Sequence, residues 1–320
     1  MKLSRFTLGM TIAVALLSSR ADAELFMDNF NTVDSASAYV QTESSADTSV
    51  TYAFDYSALN IPVAPNTTDS STLGVRFAAN ITGDQGGSGS AQAITLHTVQ
   101  QFSGAYIVQF DAWINANGPF PGGGGGSTEF LTAGVGGDGL TPNRGGGTGS
   151  GGWTAVTGEG GASRDYRMYK QENEQFIAST QYTAPSQDAG NAYYNQFGNI
   201  DVEQFQQGPS QTGTTGSGTF GFDWHVVELV VDPAGQGTMT WSIDGLEIGT
   251  LNGAVGDDFA TDGSVTIGYM DVFSSISDSP TNSFGLIDNL VVTAVPEPGS
   301  FALLTGLVVS ATALRRRRRA

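Results

Sequence analysis

Residues 222–248 read FDWHVVELVVDPAGQGTMTWSIDGLEI and carry the clearest structural signal in the chain. Within them, Met239, Trp241 and Ile243 alternate with small polar residues, which is the pattern of a strand with one buried face. Asp244-Gly245 follows directly, and this dipeptide favours the tight turn of a β-hairpin because both residues tolerate a positive φ. The stretch therefore predicts strands at 224–232 and 238–243 and a hairpin turn at 244–245.

Similar short segments, rich in Val, Thr and aromatic residues and bounded by Gly, Asn, Asp or Ser, recur along the chain. They lie at 51–56, 73–78, 93–99, 105–114, 129–135, 153–157, 166–170, 265–273 and 284–292. Between the two ends of the chain the sequence shows no amphipathic helical pattern, and 186–207 is interpreted as a loop. Many short strands without helices predict an all-β sandwich of two packed sheets.

The predicted strand 105–114 separates two faces clearly. Its apolar face holds Val108, Phe110, Ala112 and Ile114. Its other face holds Gln109, Asp111 and Trp113. The alternation predicts that the first set packs into the core and that the second set points outward.

Three stretches together resemble the jelly-roll β-sandwiches of the concanavalin and laminin-G type. In residues 222–253, as in that family, one strand ends at an Asp turn and the next carries Trp before an Asp-Gly turn. The opening 25–30 and the closing 284–292 resemble the first and last strands of such domains. The resemblance implies that these two strands lie side by side. It concerns the fold, and a fold alone does not specify a function.

The first 23 residues have the features of a signal peptide. Lys2 and Arg5 precede an apolar run at 6–17, and Ala21 and Ala23 form a small-x-small cleavage site. We therefore expect an N-terminal signal helix, passage through the Sec translocon and removal by signal peptidase. The body of the protein then begins at residue 24.

The last 26 residues contain three parts in a fixed order. Pro296, Glu297 and Pro298 form a stiff motif within 295–298, an apolar helix is predicted at 300–314, and five arginines follow. These cations are Arg315, Arg316, Arg317, Arg318 and Arg319. They are expected to stay on the cytoplasmic side of the membrane and to stop transfer.

Residues 295–320 resemble the PEP-CTERM sorting signal of Gram-negative bacteria that make exopolysaccharide. The resemblance implies that an exosortase, a membrane protease, recognises Pro296, Glu297 and Pro298 and cleaves near them. The protein would then be anchored transiently in the inner membrane before it reaches the cell surface or extracellular matrix. The alternative is an ordinary single-span C-terminal anchor.

Charge and composition limit the function of the body, residues 24–294. It holds 29 acidic and five basic side chains, a formal charge of −24. Nucleic-acid binding is not expected, because phosphate contacts need clustered cations. The chain has no cysteine, which excludes disulfides and thiol catalysis.

A glycine-rich insertion at 118–161 interrupts the strands, with 19 of the 44 glycines. Glycine costs entropy to order and adds no side chain to a core. The insertion is interpreted either as long flexible loops at one end of the sandwich, where binding residues usually lie, or as slack. Because strand-like pieces lie within it, the whole of 24–294 is predicted to be one domain.

Catalytic motifs are absent from the sequence. Concanavalin-type glycosidases carry a Glu-x-Asp strand motif, and no Glu here is followed two residues later by Asp. Glu172 and Glu174 are the nearest substitute, expected to share a strand face, although solvated turn residues are the alternative. No Gly-x-Ser-x-Gly nucleophile motif accompanies His97 and His225, so both histidines are interpreted as structural. The protein is therefore predicted not to be an enzyme.

Binding of glycan and calcium is the remaining prediction. Trp113, Trp153 and Tyr166 are expected to expose flat rings for sugar stacking, with Asp111 bonding hydroxyls; the alternative for each ring is cross-strand packing. Asp28 and Asp288 lie on the strands expected to be paired. The resemblance to jelly-roll binding domains implies that they are candidate ligands of a structural Ca²⁺; the alternative is that both carboxylates cap turns.

The sequence and its resemblances thus predict an exported, exosortase-sorted β-sandwich that is associated with exopolysaccharide and binds glycan without catalytic activity. Two alternatives stay open. One is a carbohydrate-active hydrolase with a carboxylate pair that the motifs do not reveal. The other is a structural surface protein with no specific ligand.

Overall fold

The computed structural model describes residues 23–82, 92–205 and 210–295. The predicted signal helix, Ala21, the sorting motif at Pro296, Glu297 and Pro298, the apolar helix and the arginine run lie outside the described residues. Ala23 is described and begins the first strand. Among the described residues, no helix has the length and apolar character needed to cross a membrane.

Within the described residues the chain forms fifteen strands and six short 3₁₀ helices. The strands are β1 Ala23–Asp28, β2 Tyr39–Glu43, β3 Thr48–Asp55, β4 Leu73–Ala79, β5 Gln92–Phe102, β6 Tyr106–Asn115, β7 Glu129–Gly137, β8 Gly152–Thr157, β9 Tyr166–Lys170, β10 Asn173–Gln175, β11 His225–Asp232, β12 Thr238–Ile243, β13 Leu246–Asn252, β14 Gly263–Asp271 and β15 Phe284–Ala294. The 3₁₀ helices are Val33–Ala38, Tyr56–Leu59, Ile177–Ser179, Ala192–Tyr194, Val202–Phe205 and Pro280–Asn282.

The strands form two antiparallel sheets that pack face to face. Sheet A has the order β13-β12-β11-β6-β15-β4-β3, with β1 also paired to β15. Sheet B has the order β10-β9-β8-β7-β14-β5-β2. The predicted all-β sandwich is confirmed. The first and last strands also lie side by side, with Ala23 opposite Ala294.

The hairpin predicted at 244–245 is present between β12 and β13. Asp244 has φ 49° and Gly245 has φ 76°, the two positive values that a type I′ turn requires. The sequence pattern missed β2 and β10, of which β10 has only three residues. It implied β13 only as the second strand of the predicted hairpin, without bounds.

Three apolar clusters hold the sandwich together. The inner cluster lies between the sheets and includes Val108, Phe110, Ala112 and Ile114, as the alternation in β6 predicted. A second cluster covers the outer face of sheet A and is built around Trp113, Phe222 and Trp224. A third cluster includes Phe130, Trp153, Tyr169 and Met270 of sheet B. The outer faces of both sheets are therefore partly closed by loops.

The glycine-rich insertion lies at both ends of the sandwich. Residues 118–126 follow β6 at one end, whereas 138–151 join β7 to β8 at the other, so the prediction of loops at a single end is wrong. The interpretation as slack does not hold at many positions of the insertion, where the backbone is packed too closely for a side chain. A Cβ on Gly126 would lie 2.3 Å from the carbonyl oxygen of Ile276.

We expect Gly136→Ala to destabilise the protein by about 2 kcal/mol or more, measured by denaturant unfolding. Gly136 has φ +68°, and a Cβ there would lie 1.8 Å from the carbonyl oxygen of Ala260. Gly139→Ala is the matched control, since Gly139 has φ +73° and no atom within 4 Å of its Cβ position. Equal losses for the two variants would contradict the close approach and leave only the cost of the positive φ.

Candidate functional site

One end of the sandwich gathers many of the buried polar groups, and we call it the polar end. It is the end where β6, β8 and β14 finish and where β7, β9 and β15 begin. Two loops close over it: the Gly125 carbonyl accepts a hydrogen bond from the Asp278 amide at 3.2 Å, and the Asn282 carbonyl accepts one from Asn115 Nδ2 at 2.9 Å. These loops therefore cover the buried polar groups of the polar end.

Glu129 and Asp271 form a cross-strand carboxyl pair at the polar end. They are direct partners in the β7–β14 register, and both are almost completely buried. Asp271 accepts hydrogen bonds from Asn80 Nδ2 at 2.6 Å and from the Phe273 amide at 2.7 Å. Burial raises the pKa of Asp271 to about 7. Burial, together with the nearby Asp271 charge, raises the pKa of Glu129 well above its usual value.

Two more buried carboxyls, Glu159 and Asp165, lie beside β8 and β9. Glu159 Oε2 accepts the Gly161 amide at 2.8 Å, and burial raises the pKa of Glu159 to about 7. Asp165 accepts the Thr157 hydroxyl at 2.7 Å and the Ala189 amide at 2.9 Å, and burial raises its pKa to about 6. These hydrogen bonds connect loop backbone to the sheet, which is a structural role.

Asp111 and Asp288, predicted for different roles, are brought together as partners in the β6–β15 register. Asp111 is completely buried and accepts hydrogen bonds from the Asn66 amide at 3.0 Å, from Asn66 Nδ2 at 2.6 Å and from Asn289 Nδ2 at 2.8 Å. Asp288 accepts the Tyr56 hydroxyl at 3.1 Å. Burial raises the pKa of both carboxyls, that of Asp288 to about 7. Both side chains therefore fasten the 56–67 segment to sheet A. The prediction that Asp111 is exposed to solvent is wrong.

The calcium prediction for Asp28 and Asp288 is corrected by their orientation. Their strands are paired, but Asp28 accepts hydrogen bonds from the Phe30 amide and the Ser35 hydroxyl, whereas Asp288 contacts Tyr56 in the second cluster. The two carboxyls therefore bind different parts of the protein. Across the described ranges, no group of three or more His, Asp or Glu side chains is arranged to hold a metal ion.

The predicted sugar-stacking rings are buried, so their expected exposure is wrong. Trp113 packs edge-on against Phe205 at 5.0 Å between ring centres. Trp153 stacks on Tyr169 at 3.8 Å, and Tyr166 stacks on Tyr194 at 4.0 Å. The alternation placed Trp113 on the correct, outer face of its sheet, but the second cluster covers that face. Cross-strand and loop packing is the role of these rings.

We expect Trp113→Phe to lower the free energy of unfolding by about 2 kcal/mol, because a smaller ring leaves a cavity in the second cluster. Trp113 Nε1 has no hydrogen-bond partner among the described residues, so packing alone is lost. Thermal or urea unfolding measures the change. A variant with unchanged stability but abolished glycan binding would show instead that Trp113 is a binding residue.

A partly exposed cluster at the edge of sheet B was not found from the sequence, and we call it the edge site. It consists of Arg164, Arg167, Glu174 and Phe176. Arg164 Nη1 lies 2.8 Å from Glu174 Oε1, and Arg167 Nη1 lies 3.9 Å from Glu174 Oε2. Phe176 is 48% exposed, and its ring centre lies 5.1 Å from the Arg164 guanidinium. The edge site presents an aromatic ring and a cation together.

Glu174 is thus an ion-pair partner of Arg164, while Glu172 lies in the exposed turn before β10. The expectation that they share a strand face is wrong, since β10 begins only at Asn173. The sequence signal that could have revealed the edge site is the spacing of cations at 164, 167 and 170, which are three of the five basic residues of the body.

The two histidines both make internal hydrogen bonds. His225 Nδ1 lies 2.7 Å from Asp244 Oδ2, and its Nε2 lies 2.9 Å from the Phe220 carbonyl. His97 Nε2 lies 3.0 Å from the Thr42 hydroxyl, and burial lowers the pKa of His97. Both rings join neighbouring segments, which agrees with the structural interpretation.

No protein-family model matches the chain, and no curated protein matches it. Solved structures do resemble it. A Bacillus subtilis protein of unknown function with a galectin-like fold is 12% identical, with TM-score 0.42 over 85% of this chain and 96% of its own. A cellulose induced protein is 11% identical, with TM-score 0.41 over 84% and 97%. An endo-β-1,3-glucanase from Pyrococcus furiosus is 12% identical, with TM-score 0.41 over 85% and 94%. Likeness at this level carries no information about function.

Proposed function

We propose that the protein is an exported surface or extracellular-matrix protein whose jelly-roll sandwich binds carbohydrate without catalysing a reaction. The observation that carries this proposal is the edge site, where Phe176 is 48% exposed beside the partly exposed Arg164. An exposed ring can lie against the C–H face of a sugar, while guanidinium N–H groups donate to its oxygens. Glycan binding is assigned here and not to Trp113, Trp153, Tyr166 or Asp111.

The closed polar end favours a binding protein over a hydrolase. Glycosidases need two carboxyl groups that both reach the scissile bond. Glu129 with Asp271, and Asp111 with Asp288, are paired carboxyls at neighbouring strand positions, yet each of these side chains is at most 2% exposed. A sugar cannot contact these carboxyls without displacing the loops that cover the polar end or the 56–67 segment.

Export and sorting form the second half of the proposal and rest on the ends of the sequence. The signal segment with its cleavage site at Ala21 and Ala23 supports export by the Sec translocon and signal peptidase. Pro296, Glu297 and Pro298, the apolar run and Arg315–Arg319 support recognition by an exosortase. Exopolysaccharide is accordingly the proposed partner, outside the inner membrane.

Binding of the full chain, purified in a mild detergent, to a panel of soluble polysaccharides tests the proposal. Saturable binding is expected, weakened about tenfold or more by Phe176→Ala. Phe273→Ala is the matched control, since Phe273 is also 48% exposed but lies in the loop after β14. Release of reducing ends would overturn the non-catalytic assignment. Absence of binding to every polysaccharide, or equal effects of the two variants, would overturn the binding assignment.

A further inference from the structure

We propose, building on the carbohydrate-binding function above, that the edge site selects polysaccharides that carry negatively charged groups, uronic-acid carboxylates in the first place. The sequence alone argues against an anionic ligand, because the body carries 29 acidic and five basic side chains. The structure reverses this expectation locally, through the way the few cations are grouped.

Two guanidinium groups share a single carboxylate at the edge site. Arg164 and Arg167 both face Glu174, at 2.8 and 3.9 Å, so the three side chains together carry one net positive charge. The nearby Asp165 is buried and hydrogen-bonded to Thr157 and Ala189, pointing into the protein. Glu159, whose charge interacts with Arg167, is buried with its pKa raised to about 7 and so is only partly ionised near neutral pH. The edge site is therefore a local cluster of cations on a strongly negative protein.

The Arg167 side chain is held in place beneath the edge site. Its guanidinium lies 4.3 Å above the Phe130 ring, and its Nε donates to the Arg164 carbonyl at 2.8 Å. Its side chain is only 8% exposed, so it contributes charge and does not move freely. Because the Glu174 carboxylate contacts both Arg164 and Arg167, its negative charge neutralises Arg164 only in part.

Arg164 is the group that a ligand can reach. Its side chain is 38% exposed, and among the described residues its guanidinium makes one hydrogen bond, to Glu174. A guanidinium carries five N–H donors in one plane, which matches the two oxygens of a carboxylate. A uronic acid could therefore place its carboxylate on Arg164 and its ring against the adjoining Phe176.

The overall negative charge does not prevent such binding. Charges more than about 8 Å apart are largely screened at physiological ionic strength, so the ligand responds mainly to the groups of the edge site. The exposed Glu172 lies close by in the sequence and adds repulsion. Binding at this single site is consequently expected to be moderate.

The test compares three soluble polymers on the full chain in detergent: polygalacturonate, dextran sulfate and uncharged dextran. We expect tightest binding of polygalacturonate, weakened about tenfold by Arg164→Gln and strongly reduced in about 0.5 M NaCl. Arg76→Gln is the matched control. It removes the same charge from the outer side of sheet A, where Arg76 packs over Phe54 and Phe284.

Each outcome separates the inference from the function on which it rests. Tightest binding of dextran, unaffected by Arg164→Gln, would overturn the acidic class and leave carbohydrate binding intact. Preference for dextran sulfate would keep the anionic class but overturn the carboxylate assignment. Equal losses for Arg164→Gln and Arg76→Gln would show that net charge, not the edge site, drives the association. Absence of binding to all three polymers would overturn both proposals.

Discussion

We expect the protein to be more stable at about pH 4 to 5 than at about pH 8, in contrast to most proteins, whose stability falls in acid. Four buried carboxyls carry the effect. Burial raises the pKa of Glu159, Asp271 and Asp288 to about 7 and that of Asp165 to about 6. Their usual values are 4.5 for Glu and 3.8 for Asp.

The sign follows from proton binding. Between its usual pKa and its raised folded pKa, each of these groups is protonated in the folded protein and ionised in the unfolded chain, so the folded state binds more protons. Their stabilising contribution is complete below the unfolded pKa and is lost as the pH rises through the folded pKa. One pKa unit corresponds to about 1.4 kcal/mol, so Glu159 alone accounts for about 3 kcal/mol.

Thermal unfolding of wild type, Glu159→Gln and Glu172→Gln across this pH range measures the effect. Glutamine keeps an oxygen for the Gly161 amide and cannot ionise, so Glu159→Gln should raise stability by about 3 kcal/mol near pH 8 and leave it nearly unchanged near pH 4. Glu172→Gln removes a charge from an exposed turn and controls for general repulsion. Stability that rises from pH 5 to pH 8, or a Glu159→Gln variant weakened throughout, would contradict the prediction.

A large loss of stability, about 4 kcal/mol, is expected for Lys170→Met. Lys170 is fully buried, and its ammonium donates to the backbone carbonyls of Asn252, Val255 and Asp257, at 2.7 Å for the first and 2.9 Å for the last. Burial lowers the pKa of Lys170, and the charges of Asp257 and Asp258 oppose that shift. Methionine fills similar space but removes the ammonium donor from all three carbonyl oxygens, of which only that of Asn252 keeps another partner, the Val255 amide at 3.0 Å.

Urea unfolding gives the size of this loss, and hydrogen exchange shows where it acts. The amides of residues 252–259 should lose protection first, because Lys170 ties that loop to β9. Gln171→Ala is the control, since Gln171 bonds the Asp258 carbonyl of the same loop from an exposed position. A Lys170→Met protein within about 1 kcal/mol of wild type would show that water replaces the ammonium without cost.

The comparison of β6 with its sequence shows what alternation can and cannot predict. The pattern correctly assigned Phe110 to the inner cluster and Trp113 to the opposite face. It could not show that the outer face is covered by Phe205, Phe222 and Trp224, which come from distant parts of the chain. A face is a local property of a strand, whereas exposure depends on tertiary contacts.

The candidate site was harder to predict than the fold. Arg164, Arg167 and Lys170 are close together in the sequence, but their environments differ. Arg164 is partly exposed, Arg167 packs on the Phe130 ring, and the Lys170 ammonium is surrounded by backbone carbonyls. Phe176 follows the three-residue strand β10, which is too short for any period to reveal. The carboxyl pairs Glu129–Asp271 and Asp111–Asp288 arise from register between strands far apart in sequence.

The position of β15 has a mechanical consequence. This strand pairs with β6 along its length on one side, and with β4 and then β1 on the other. The backbone amide of Val295, the next residue, donates a hydrogen bond to the Ala105 carbonyl at 2.9 Å. A force that pulls on the chain from Val295 acts along β15, at right angles to the hydrogen bonds of an antiparallel sheet. When the opposing force acts elsewhere than on the start of β1, which lies opposite Ala294, the bonds on both sides of β15 must shear together instead of opening one after another. The sandwich then resists tension applied at Val295.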